Sequence, residues 1–516
     1  MSRAVPDLFL HNVNVLTMNH LMPRASWVAI GQGRIIGVGP GEPPLGTCER
    51  PARAIDCQGA TLIPGFNDAH CHVLATVASL LAVDCSPATV SSIEDIKGKL
   101  ETRSTQVTND AWIRGTGYNE FYLQERRHPN RWDLDQATSD HPIRLLHRSG
   151  HAMVLNTRAL ALASIYRDTP DPPGGIIERE EGTGEPTGLL LEMNEYLDGV
   201  IPSLSNVEIQ SGIGLFNDLC LALGITSIQD ANPGNDLERW EMFTDFKKGG
   251  LLTPAVTLMA GASHVHQFVQ GGFSFGYRAH GLRLGAVKIV VTMTTGVLQP
   301  PKEELRRLVR NAHLGGFQVA IHAVEAEAVE EAIDAILLGA EGSVPGALRH
   351  RIEHCSECPP RLINKLALNG ILVVTQPGFL YYSGERYLAE VPGDRLPWLY
   401  PIGSMRVAGV RLAAGSDAPV IPMNPMMGIY AAATRTAESG DALLSGKAVG
   451  VEEALSMYTL GSAYASFEDG VTGSVEDGKW ADLALLDRDP TVVDSEAIKD
   501  IRVVMTVASG KVVWER

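Results

Sequence analysis

The chain has 516 residues, 45% of them hydrophobic and 20% charged, with 52 glycines and 30 prolines, a composition that excludes a disordered or fibrous protein. Its 43 Lys and Arg stand against 60 Asp and Glu, a formal net charge of -17, which argues against a nucleic-acid partner or capture by anionic lipid and makes a small-molecule substrate the expected partner. At roughly 100 to 200 residues per domain, two or three structural units are expected.

Residues 1–60 alternate short β-rich runs with glycine punctuation, "DLFLHNVNVLTMN", "SWVAIGQGRIIGVGP" and "RAIDCQGATLIPG", a pattern of strands and hairpins. The N-terminus lacks the continuous apolar core of a signal peptide, and no apolar run reaches the ~20 residues of a membrane span. The expected compartment is therefore cytoplasmic, with no membrane partner. The C-terminal end returns to strand patterns in "ADLALLDRDP" and "IRVVMTVASGKVVWER", so residues 1–60 and 467–516 are expected to form one small β-sandwich domain from both termini.

Between them, over 61–466, helical and strand patterns alternate: "EELRRLVRNAHLGG" then "FQVAIHA", "AEAVEEAIDAILLGA" then "RHRIEHC", "PRLINKLALNG" then "ILVVTQP". This is the α/β signature of a parallel sheet. Candidate strands at 61–66, 225–230, 255–260, 286–291, 317–322, 350–354, 372–376 and 412–416 predict a (β/α)8 TIM-like barrel, with a doubly wound open sheet as the competing architecture. Residues 78–205 are too many for an ordinary connection and carry their own pieces, including "IEDIKGKLETR" and "PIRLLHRSG", which predicts an inserted subdomain after the first barrel strand. Seven scattered cysteines, Cys48, Cys57, Cys71, Cys85, Cys220, Cys355 and Cys358, read as reduced thiols rather than a disulfide framework.

The chemistry-bearing residues gather at strand ends. In "PGFNDAHCHV" (64–73), His70 and His72 are two apart and share one side of a strand, an arrangement suited to chelating Zn2+. Lys288 in "GAVKIVV", His322 in "VAIHAV", His354 in "RIEHC" and Asp417 in "AAGSDAP" fall at the ends of the fourth, fifth, sixth and eighth candidate strands. In a (β/α)8 barrel those ends face one mouth. Each residue alone has an ordinary explanation, a packed histidine, a solvated lysine or a turn aspartate; the set of six points to a metal site. "HRIEHCSEC" also invites a zinc knot of His350, His354, Cys355 and Cys358, but Cys355 alternates away from His354 and Pro359-Pro360 begins a helix directly afterwards.

These motifs, with "SGHAMVLNTRAL" (149–160), "PTGLLLE" (186–192) and "GSVEDGKWADLALLD" (473–487), resemble the amidohydrolase superfamily in its family-3 branch of YtcJ-like metal-dependent hydrolases. The resemblance implies that His70, His72, His322, His354 and Asp417 are metal ligands. It further implies that Lys288 is carbamylated by CO2, which turns a cation into an anionic oxygen donor able to bridge two metals. The cofactor it implies is Zn2+, one or two divalent ions, with Mn2+ or Fe2+ as alternatives. The branch commonly reads Lys-hydrophobic-aromatic-x-Asp-Gly, whereas this chain reads Lys288-Ile-Val-Val-Thr-Met-Thr-Thr-Gly, with no acid beside the lysine.

The implied reaction is hydrolysis of a non-peptide carbon–nitrogen bond, as in an N-acyl, formamide, carbamate or cyclic amide group. Metal-activated hydroxide would attack, with Asp417 as general acid and base. His151 resembles a position that reaches the substrate, where an imidazole can hydrogen-bond a carbonyl oxygen. A mononuclear heterocycle deaminase is the alternative. A non-catalytic barrel scaffold is the third reading, against which the presence of all six positions argues. Whether the chain is a homo-oligomer stays open at this level.

Overall fold

The computed structural model describes all residues except 1–5, 44–51, 109–110, 195, 294–295, 341–345 and 445–446; Cys48 and the Thr294-Thr295 pair after Lys288 thus lie outside the described residues. Eight short runs, mostly of Val, Ile, Leu and Ala, form parallel strands: β1 (Phe66–Cys71), β2 (Ile225–Asp230), β3 (Ala255–Gly261), β4 (Leu282–Val290), β5 (Val319–Ala323), β6 (Arg351–His354), β7 (Leu372–Thr375) and β8 (Leu412–Ala414). Each pairs with the next in parallel. The last gap, between β8 and β1, is spanned just past the β8 end, where the Asp417 N–H donates to the His70 carbonyl at 2.7 Å and the Ser416 N–H donates to the Asp68 carboxylate at 2.9 Å. The result is a nearly closed (β/α)8 barrel, and the open doubly wound sheet is set aside.

The connecting helices bury the faces that their periodicity predicts. Lys302–Leu314 buries Leu305, Val309 and Ala312, and Pro360–Leu368 buries Leu362, Ile363 and Leu366, each the i, i+3/i+4 stripe of a helix lying on a sheet. At the foot of β6, His350 is 6% exposed. Its Nδ1 accepts the Val319 N–H at 3.1 Å and its Nε2 meets His313 Nδ1 at 2.9 Å. Both ring nitrogens already have partners, which argues against the zinc knot.

His350 also makes stability pH-dependent. Burial, reinforced by the His313 imidazole, pushes its pKa down from 6.5 to about 4. Protons therefore bind the unfolded chain more tightly. The stabilisation is complete above pH 6.5 and is lost as pH falls toward 4, by about 3 kcal/mol at ~1.4 kcal/mol per pK unit. Thermal melts of the wild type and His350→Gln across that window are expected to show a shallower acid slope in the variant; equal slopes would contradict the assignment.

One expected strand is divided. The sequence pattern predicts 61–66 as the first barrel strand, but Thr61–Pro64 belongs to a different sheet and the barrel begins at Phe66. Gly65 is the crossing point. A Cβ there would lie 2.1 Å from Thr226 Oγ1, so only glycine allows the chain to pass β2 as it changes sheets. The consequence is that His70 sits within β1 and His72 one residue past its end.

Thr61–Pro64 joins a sheet built from both ends of the chain, in the order Lys511–Glu515, Val503–Ala508, Leu483–Leu486, Thr61–Pro64, Leu8–Leu16, Arg24–Gly31 and Arg34–Gly39, with Arg53–Asp56 also on Leu8–Leu16. Leu10, Val15, Val28, Leu62, Leu483 and Val507 form its buried core.

The chain divides into two compact units, 1–73 with 217–516, and 74–216. The second has a six-stranded sheet ordered Ile176–Arg179, Pro186–Leu191, Ala152–Leu155, Ile143–His147, Ile113–Tyr118 and Val83–Asp84. Its helix Ile93–Ser104 starts at a capping box between Ser92 and Asp95 and packs Ile93, Ile96 and Leu100 into a core with Tyr118, Leu134 and Leu145. Among the described residues no helix is long and apolar enough to cross a membrane.

Candidate metal centre

The C-terminal ends of the barrel strands bring five of the predicted residues around His70. Its side chain is wholly buried. Its Nε2 lies 3.4 Å from Asp417 Oδ1 and 3.4 Å from Lys288 Nζ. His72 Nε2 donates to the same Asp417 oxygen at 3.1 Å. The His354 ring centroid is 4.8 Å from that of His70, and the His322 centroid is 4.3 Å from that of His354. One donor atom each from His70, His354 and Asp417 can be chosen so that all three lie within 4.8 Å of one another, a spacing that one cation can bridge. Lys288, His72 and His322 surround this trio.

Two of the three residues are aimed by unusual backbone. His354 and Asp417 have φ of 67° and 60°, in the left-handed region that costs non-glycine residues of order 1–3 kcal/mol. Both lie where a barrel strand gives way to its loop. Simple alternation would put Glu353 and His354 on opposite sides of β6, yet both reach His70, because the turn at His354 re-aims its ring. The turn is held by the Cys355 N–H, which bonds the Ala323 carbonyl at 3.0 Å. At Asp417 the backbone N–H to His70 and the Val420 N–H to the Asp417 carbonyl, 2.9 Å, do the same.

Further buried polar groups set the orientation of the imidazoles. His70 Nδ1 is in close hydrogen-bond contact with Glu353 Oε2. Glu353 Oε1 accepts from Arg351 Nε at 2.6 Å, and Arg351 also donates to Gln229 Oε1 at 2.6 Å and to the Ala69 carbonyl at 3.0 Å. His354 Nδ1 meets Gln376 Oε1 at 2.7 Å. Its buried Nε2 has no hydrogen-bond partner among the described residues. A buried polar nitrogen without a partner is costly, and a cation at the trio would satisfy it. The residues therefore fit a divalent metal: neutral imidazole nitrogens and a carboxylate, in a pocket wholly of protein.

The electrostatics agree. Burial pushes His70 well below its usual pKa and His354 down to about 4, so both rings are neutral at physiological pH, the form that ligates metals. Burial also brings the Lys288 amine down to about 8. For Asp417, burial pushes upward, but its closeness to His354, the hydrogen bond from His72 and the Lys288 amine outweigh it and hold the carboxyl below its usual range. Glu353 moves the other way, raised by burial against the pull of Arg351 and Lys288.

Glu353, Arg351 and Gln376 were not singled out from sequence. The signal was available in "RIEH": two opposite charges two apart in a short strand otherwise bound for a barrel interior have to pair there. Gln376 has no such signal. Cys71, between the two histidines, turns its Sγ toward the Gln229 carbonyl at 3.8 Å. His151 lies in the unit 74–216, half exposed, with Nδ1 3.0 Å from Glu192 Oε1.

Residues 53–514 match the family model described as "Amidohydrolase family". The chain belongs to the amidohydrolase family. It is a hydrolase of carbon–nitrogen bonds. It is 29% identical to an N-substituted formamide deformylase of Arthrobacter pascens, over 99% of this chain and 98% of the relative. It is 28% identical to YtcJ of Bacillus subtilis (strain 168), over 90% of each. Its fold is that of an uncharacterized metal-dependent hydrolase from Pyrococcus horikoshii OT3, with a TM-score of 0.75 at 23% identity, covering 95% of this chain and 99% of that one.

Proposed function

We propose that this amidohydrolase cleaves a non-peptide carbon–nitrogen bond of a small molecule at a divalent metal held by His70, His72, His322, His354 and Asp417, with Lys288 completing a binuclear form when carbamylated. The observation that carries the reading is the partnerless, buried His354 Nε2 beside His70 and Asp417. Zn2+ suits this nitrogen-rich donor set, and Mn2+ and Fe2+ are alternatives. The metal, when bound, supplies Lewis-acid polarisation of the scissile carbonyl and acidifies water at the site.

The chain's own residues supply the proton chemistry. Asp417 shares one carboxylate oxygen with His70 and His72 and is the buried base among them. It takes the proton of the attacking water and returns it to the leaving nitrogen, which departs as an amine. His151 is the proposed donor to the substrate carbonyl oxygen.

The deformylase of Arthrobacter pascens makes N-substituted formamides the first substrates to test, ahead of N-acyl amines, carbamates and cyclic amides. A hydrolysis screen of these classes and of amino-heterocycles, with Zn2+- and Mn2+-loaded protein, is expected to release an amine from at least one amide class. Chelation should abolish the activity and metal return should restore it. Failure to cleave any of the non-peptide carbon–nitrogen bonds would overturn the proposal. A mononuclear deaminase is the second reading, favoured by the trio His70, His354 and Asp417, whose donor atoms gather within 4.8 Å of one another among the described residues. Ammonia release with one metal per chain and an unmodified Lys288 would select it.

A further inference from the structure

Beneath the proposed metal ligands runs a line of polar groups that are buried from solvent. Arg351 and Glu353 are 1% and 0% exposed. Two apart on β6, both project into the barrel, where apolar side chains would be cheaper to bury. The guanidinium reaches across to β1 and β2, bonding the Ala69 carbonyl and Gln229 Oε1. Gln229 in turn donates to the Ser462 carbonyl at 2.9 Å and to Asn67 Oδ1 at 3.2 Å. Among the described residues, this line meets the site where Glu353 Oε2 contacts His70 Nδ1.

We infer that Glu353 is the positioning residue of His70: its carboxylate holds the ring in the Nδ1–H form with Nε2 presented to the site, and Arg351 fixes that carboxylate in place. The inference rests on the proposed role of His70 as a metal ligand. A carboxylate behind an imidazole selects its tautomer, stops the ring rotating and makes the opposite nitrogen a stronger donor. His354 offers the internal contrast, because its Nδ1 is held by Gln376 Oε1, an uncharged acceptor. The two histidines of the trio are thus oriented in the same way by partners of different charge, and His70 is the stronger ligand. Arg351 is the reason this carboxylate can be buried: it neutralises Glu353 at 2.6 Å while its other nitrogens tie the pair to β1 and β2.

The test is metal binding by the full-length, metal-free chain. Zn2+ affinity is measured in competition with a chelating indicator, and the visible spectrum of the Co2+ form reports ligand geometry. Glu353→Gln is expected to weaken Zn2+ binding by about 10- to 100-fold and to shift the Co2+ bands. Glu353→Asp, which keeps the carboxylate on a shorter arm, recovers part of the loss. A wild type that binds no metal would overturn the proposed metal site itself. Equal affinity and superimposable Co2+ spectra in wild type and Glu353→Gln would overturn this inference and leave the site standing.

Should Glu353→Gln fail to fold, wild-type protein labelled with nitrogen-15 histidine decides the matter. The His70 resonances, identified by their absence in His70→Gln, are expected to show an Nδ1–H protected from exchange. An Nε2–H tautomer would overturn the inference.

Discussion

Asp417→Asn is expected to lower turnover by about 10²- to 10⁴-fold, the usual contribution of a positioned acid–base group, while the protein remains folded. The substitution is a clean probe for a local reason. Asp417 has φ of 60°, and asparagine is among the few non-glycine residues that tolerate the left-handed region. The backbone hydrogen bonds from Asp417 to His70 and from Val420 to Asp417 need no carboxylate. An amide oxygen can still accept from His72. What is lost is the negative charge and the capacity to carry a proton. Circular dichroism and thermal melting check the fold, and steady-state hydrolysis of whichever amide the wild type cleaves checks the chemistry. Turnover near the wild-type value would remove Asp417 from its proposed role.

Arg351→Met is expected to destabilise the chain by about 3–5 kcal/mol, the cost of leaving one member of a buried ion pair without its partner. Glu353 would keep its contact with His70 but lose the guanidinium that neutralises it, in an interior where both residues are essentially inaccessible. The Gln229 and Ala69 oxygens would lose their donors as well. The double variant Arg351→Met, Glu353→Gln is expected to recover most of that loss, because it removes the unpaired charge. Denaturant melts of the metal-free single and double variants make the comparison. A double variant as unstable as Arg351→Met would show that packing, and not charge pairing, sets the cost. The metal affinity of the double variant should stay low, since the carboxylate behind His70 is still missing.

The barrel was legible because seven of its eight strands are short β-prone runs separated by helices, some with clear 3.6-residue stripes, such as Leu305, Val309 and Ala312. The first strand was misplaced because Thr61–Pro64 and Phe66–Cys71 read as one run. The break at Gly65 depends on the approach of Thr226, more than 150 residues away. The candidate ligands were legible as residue types at strand ends. Their orienting partners were not: Gln376 is an unremarkable amide after β7, and its meaning arises only when the fold sets it 2.7 Å from His354 Nδ1.

By itself the sequence determined the α/β alternation, the eight barrel strands in outline, the acidic balance and the gathering of His70, His72, Lys288, His322, His354 and Asp417 at strand ends, because periodicity and strand-end position are local properties of the chain. Only the tertiary structure decided which donors converge. His70, His354 and Asp417 come together through the left-handed turns at the last two and the Asp417 N–H to His70 carbonyl bond between β8 and β1. Such convergence depends on backbone torsions and cross-barrel hydrogen bonds between residues up to 347 positions apart, from His70 to Asp417. No local pattern encodes them.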